Sequence, residues 1–176
     1  MSDQLPEAFA PPAPAGTRNV TLNTSSQTAG DFATLRNLTL NSNVGQVAIP
    51  PGTYGSFSAN GNSGFVLGVA GSAVPAVYNL QGLTLNSSST VQIVGPVILT
   101  VANSVAFNGV AGNSTHPEWL VLQISSGGVT LNTGSTVYAN VFAPNGTVTI
   151  NSALFGVVSS DRLTINSNGA LTQPTP

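Results

Sequence analysis

The residues best equipped for chemistry are the only histidine, His116, its neighbours Glu118 and Trp119, and the adjacent pair Asp161 and Arg162. An imidazole two positions from a carboxylate could begin a metal site or an acid–base pair. A metal site needs further ligands, and the chain offers no second histidine and no cysteine. Inverting glycoside hydrolysis needs two carboxyl groups roughly 6.5–9.5 Å apart on one face. The acids are Asp3, Glu7, Asp31, Glu118 and Asp161, and the first two fall in a proline-rich N-terminal stretch. There is no G-x-S-x-G, phosphate-binding loop, dinucleotide fingerprint or calcium-binding nonapeptide. The expectation is a non-enzyme with no catalytic residue, cofactor or metal. His116 to Trp119 then form a surface loop, and Asp161 and Arg162 a solvated ion pair in a turn.

What would position any such group is a repeat. The pentapeptide apolar-Thr-apolar-Asn-(Ser/Thr) occurs at 20–24, 38–42, 83–87, 129–133, 148–152 and 163–167, with degenerate copies at 57–61 and 105–109. Counted between the asparagines, the steps are 18, 19, 26, 22, 24, 19 and 15 residues. Self-similarity near that period marks a solenoid, whose repeats bury their apolar faces only by stacking. Between the copies lie second strands such as Val97–Val101, Leu120–Ile124 and Val137–Phe142, punctuated by Gly and Asn. No segment holds a helical period, and Asp31–Arg36 is at most one helical turn. The fold expected is all-β: a single right-handed parallel β-helix, or β-solenoid, of about eight coils. It occupies residues 17–176, after a Pro/Ala-rich arm or linker over 1–16 in which Leu5 and Phe9 could anchor. The stretches 49–55, 71–77 and 112–119 interrupt the period as turns and loops.

Strand alternation assigns each residue of the repeat a direction. Leu40, Leu85, Leu131, Ile150 and Ile165 should point inward as one column. Thr21, Thr39, Thr84, Thr130, Thr149 and Thr164 should point outward as a row, with Ser58 and Ala106 at the degenerate copies. The eight asparagines, Asn23, Asn41, Asn60, Asn86, Asn108, Asn132, Asn151 and Asn166, should sit where the strand bends. There they tolerate left-handed backbone and can bond to one another along the axis.

Composition narrows the partners. Charged residues make up 5% of the chain, with three arginines, no lysine and a net charge of -2, against roughly 25% charged in ordinary domains. Nucleic acid and anionic membranes require clustered cations, so neither a nucleic-acid partner nor membrane insertion is expected. No apolar run reaches the roughly 18 residues of a membrane span. Met1–Glu7 has neither a basic nor an apolar region and is not a signal peptide. The expectation is a mature segment with its leader absent from this chain.

The motif P-P-G-T-Y-G at 50–55, the repeated L-T-L-N-S units, and F-A-P-N-G-T-V-T-I-N at 142–151 resemble the β-helical domains of bacterial surface and pilus-assembly-related proteins. That resemblance covers roughly residues 38–172 and implies a cell-surface or extracellular location and a right-handed parallel β-helix. It implies no chemistry. A more distant similarity is to β-solenoid ice-binding proteins. The function expected is a non-catalytic structural protein of the bacterial cell surface. It associates with itself head to tail into an extracellular filament, because both ends look weakly guarded and the surface is neutral. The alternative is a ligand-binding solenoid in which the Thr row holds ice or polysaccharide. Against a sugar platform, Tyr54, Tyr78, Tyr138 and Trp119 fall in different parts of the coil.

Overall fold

The computed structural model describes residues 10–175 and is a parallel β-solenoid of about eight turns. Its coils have three faces. The first face carries the pentapeptides as β1 (Arg18–Leu22), β2 (Leu35–Leu40), β5 (Ser56–Ala59), β8 (Gly82–Leu85), β11 (Val105–Phe107) and β14 (Val129–Leu131). It continues through the last residues of β16 (Asn140–Ile150) and β18 (Val158–Ile165). The second face is β3 (Gln46–Ala48), β6 (Gly64–Leu67), β9 (Thr90–Ile93), β12 (Val110–Gly112), β15 (Thr136–Tyr138), β17 (Ala153–Phe155) and β19 (Ala170–Thr172). The third is β4 (Gly52–Thr53), β7 (Ala76–Leu80), β10 (Val97–Val101), β13 (Leu120–Ile124) and the first residues of β16 and β18. Every strand pairing is parallel, coil upon coil.

Register follows the repeat. Thr21 opposes Thr39, Thr39 opposes Ser58, and Ser58 opposes Thr84. Ala106 then opposes Thr130, which leads to Thr149 and Thr164. The first face has one seam. β8 and β11 lie side by side, yet no ladder joins them, and the four strands β1, β2, β5 and β8 form a sheet of their own. The second and third faces run through that level unbroken, β9 pairing β12 and β10 pairing β13.

The core is the expected column. Leu40, Leu85, Leu131 and Ile150 are all buried, joined by Leu22, Ala59 and Phe107 at the equivalent positions. Ile165 is the exception: no described residue stacks beyond the last coil, and the side chain is 46% exposed. At the other end the core is aromatic. Phe32, Tyr54, Phe57 and Phe65 form a chain of ring contacts with centroids 5.1–6.4 Å apart.

Two local readings change. Asp31–Arg36 is a turn that runs into strand, with Leu35 already the first residue of β2. The stretch Val137–Phe142 divides at a corner, Ala139, between β15 and β16. In the arm, residues 10–16 lie against the solenoid rather than free of it. Pro11 is buried, the Gln81 side-chain amide donates to the Pro12 carbonyl at 3.1 Å, and Gly16 sits where a Cβ would strike the Leu35 carbonyl. Leu5 and Phe9 lie outside the described residues. No described helix is long and apolar enough to cross a membrane.

Candidate functional site

The first face presents its outward side chains in three axial rows. The central row is the Thr row: Thr21, Thr84 and Thr164 are exposed, while Thr39, Thr130 and Thr149 are half-buried between their neighbours. The asparagine row beside it is a hydrogen-bonded ladder. Asn41 donates to Asn23 at 2.6 Å, Asn60 to Asn41 at 3.4 Å, Asn86 to Asn60 at 2.7 Å and Asn132 to Asn108 at 2.8 Å, and Asn166 donates to Asn151. At the seam the pattern changes, and the Asn108 amide donates to the Leu85 carbonyl at 2.6 Å instead of to Asn86. Between Asn132 and Asn151 the backbone carries the link, Asn151 N–H donating to the Leu131 carbonyl at 3.0 Å. On the far side of the Thr row Asn37 donates to Asn19 at 2.9 Å, and it accepts from the Ser56 N–H at 2.7 Å.

The left-handed backbone is not at these asparagines. It falls two residues later, at Asn43, Asn62 and Ser88, with φ of 66°, 60° and 61°. The ladder asparagine instead accepts, through its carbonyl, the N–H three residues on: Ser63 to Asn60, Ser89 to Asn86 and Ser135 to Asn132, each at 3.0 Å. These three serines are essentially inaccessible, and each hydroxyl donates to a backbone carbonyl. Burying a hydroxyl without a partner is costly, so the serine is specified as tightly as the asparagine. The spacing Asn-x-x-Ser could have revealed them in the sequence.

The His116 loop is a small closed unit. Pro117–Trp119 forms one turn of 3-10 helix leading into β13. His116 Nδ1 lies 3.0 Å from Glu118 Oε1, and the imidazole stacks on the Trp119 ring at 4.0 Å and 8°. Asn113 Oδ1 accepts the N–H groups of Thr115 and His116 and so shapes the turn. The Glu118 carboxyl is held below its usual range by its own backbone N–H first and by His116 second. Glu118 sits at the corner between the second and third faces, whereas Asp161 sits in β18 where the third face turns into the first. The fold does not bring these carboxylates together. Asp161 and Arg162 approach to 4.0 Å with both side chains exposed. Among the described residues no cluster of three or more His, Cys, Asp or Glu could hold a metal.

The aromatic residues divide. Tyr54 and Tyr78 are buried, their hydroxyls donating to the carbonyls of Pro50 and Ile49, each at 2.7 Å. Tyr138 and Phe155, half-buried at one corner, stack at 5.0 Å and 17°, close to the roughly 4.8 Å spacing of paired strands. Each ring spends one face on the other, and both are half-buried. Sequence reading also missed the exterior of the third face, where Val77, Ile98 and Val121 line up in register on successive coils.

No protein-family model, characterised protein or solved structure matches the chain. A functional reading therefore rests on the chain's own residues and their geometry.

Proposed function

We propose that this protein is a non-catalytic structural element of a bacterial cell surface that associates with itself through its ends. The observation carrying the reading is the last coil. Leu163 and Ile165 are 45% and 46% exposed, while Val148 and Ile150, one coil earlier in the same columns, are 0% exposed. A β-solenoid conceals its core only where a further coil covers it, and among the described residues Leu163 and Ile165 lack the covering coil that buries Val148 and Ile150. Along this edge the stretch from Leu163 to Thr172 has no charge and no proline to discourage pairing, and the charges of β18, Asp161 and Arg162, stand exposed at the preceding corner. The cell-surface part of the reading rests on the resemblance of the P-P-G-T-Y-G and A-P-N-G stretches. Sedimentation velocity across concentration tests it: the chain should form assemblies larger than the monomer, and a monomer at every concentration would reject the reading.

A second reading has one observation in its favour, the in-register Thr and Asn rows on the first face. They could order water or meet a flat polysaccharide, although Ala106 and the seam interrupt them. Ice-recrystallisation inhibition or glycan pull-down, lost on changing Thr84 and Thr130 to Tyr, would support it. An inactive wild-type protein would reduce the rows to the neutral exterior of a ladder.

A further inference from the structure

The two ends of the solenoid are not alike. Leu22 in the first coil and Ile165 in the last hold equivalent inward positions of the repeat on the first face, yet they are 2% and 46% exposed. The difference comes from residues 23–34. Instead of building two more faces for the first coil, this segment folds in at the N-terminal end. Ala29 reaches the core at 4% exposure, and Phe32 packs edge-on against Tyr54. Gln27 accepts the N–H groups of Asn23 and Thr24 through its side-chain carbonyl, at 2.6 and 3.2 Å. Arg18 ties the segment down by donating to Thr34 Oγ1 and to the Asp31 carbonyl. The segment thus covers the core at this end, although β1 itself remains an edge strand, paired among the described residues only with β2. Nothing comparable lies over β18 and β19 in the described residues, where Val157, Leu163 and Ile165 are all exposed.

Head-to-tail stacking joins a bare end to a covered one. A second copy of the last coil offers what the first coil does not, exposed apolar side chains at Leu163 and Ile165 beside a free strand edge. We infer that the terminal coil is a homodimerisation surface, meeting its counterpart tail to tail about a two-fold axis in a closed pair rather than an open filament. This rests on the end-to-end reading above and decides which ends meet. Strands related by such an axis run antiparallel, and the contact is isologous. Centring the axis on Thr164 sets Leu163 against Ile165 of the partner subunit, apolar against apolar on the inner side, with both threonines outward. A shift of one residue would oppose an inward side chain to an outward one. The same axis exchanges the second and third faces, so Val158–Ser160 in one copy lies over Ala170–Thr172 in the other.

The absence of native cysteine makes the geometry directly testable. Residues directly opposed in an antiparallel pair have Cα atoms about 4.5–5.5 Å apart, inside the roughly 4.4–6.8 Å span of a disulfide. Under mild oxidation the full chain carrying Thr164→Cys should become a covalent dimer, whereas Thr21→Cys in the first coil should remain largely uncrosslinked. Sedimentation of the unmodified chain should show a dimer that stops growing as concentration rises. Ile165→Lys should return it to monomer with its β circular dichroism intact. Assemblies that lengthen without limit would overturn the two-fold pairing and leave the end-to-end reading standing. Equal crosslinking at positions 21 and 164 would also overturn the pairing. A chain that stays monomeric would remove both.

Discussion

The first and third faces are built on the same interior plan and finished differently outside. Inside, both present buried aliphatic columns, Leu40 to Ile150 on one and Val97, Leu99, Leu120 and Leu122 on the other. Outside, the first face carries threonines and a ladder of asparagine amides, while the third carries an aliphatic row, Val77, Ile98 and Val121, beside a mixed polar row, Asn79, Thr100 and Gln123. A parallel stack can therefore be held in register in two ways. Directional bonds between identical amides require the same residue at the same place in every coil. Aliphatic contact accepts any branched side chain of similar size and leaves register to the backbone and the core.

The comparison breaks most sharply from within. Leu131 is fully buried in the middle of the first face, and Leu131→Ala should cost about 2–5 kcal/mol through lost burial and the cavity left behind. Thr130→Ala, pointing the other way from the same strand, should fall within about 0.5 kcal/mol of wild type in urea unfolding. Equal losses at the two positions would overturn the assignment of inside and outside.

The interior near the third face has a signature in pH. Burial first, and the neighbouring Tyr78 second, push the Tyr54 hydroxyl up to about 12. Burial likewise raises Tyr78, partly opposed by the N–H of Gly68. An unfolded tyrosine ionises near pH 10, so the unfolded chain releases these protons first as pH climbs. The contribution of Tyr54 is complete below about pH 10 and is lost as pH rises toward 12. Thermal melts should decline across that window, and Tyr54→Phe should flatten the decline. A melting temperature independent of pH from 9 to 12 in the wild type would contradict the buried placement.

Exterior changes should be smallest and should differ between faces. Asn132→Ala removes the amide bond to Asn108 and should cost about 0.5–1.5 kcal/mol. Val121→Thr, similar in shape and only half-buried, should stay within about 0.5 kcal/mol. If the valine proved the more costly, the aliphatic stripe would be a stabilising element equal to the ladder.

That difference explains what could be read in advance. The first face was legible because an amide ladder writes its own repetition into the chain, and the threonine between two apolar residues shows which side faces water. The strands of the third face could be located but their direction was less legible, because Val97–Val101 and Leu120–Ile124 each hold a single polar residue, Thr100 or Gln123, beside an outward Ile98 or Val121. The turn geometry was half legible: the asparagine stood out, while the left-handed residue two places on varies among Asn43, Asn62 and Ser88. Nor did the sequence distinguish the ends. The segment that covers the first coil is mostly Ser, Gln, Thr and Gly, and its covering role depends on a single small residue, Ala29, together with Phe32.

The missing ladder between β8 and β11 gives the molecule an elastic direction. Two of its three walls are continuous at that level, and the third is joined without a ladder, by packing and by isolated bonds from the Asn108 amide to the Leu85 carbonyl and from the Ser88 N–H to the Asn108 carbonyl. A column fastened on two sides bends most easily by opening the third, so thermal flexing concentrates between the fourth and fifth coils, away from the first face. Amide hydrogens along Gly82–Leu85 and Val105–Phe107 should then exchange ahead of their equivalents in β14 and β2. If they do, the chain flexes as two stiffer halves meeting at one compliant level.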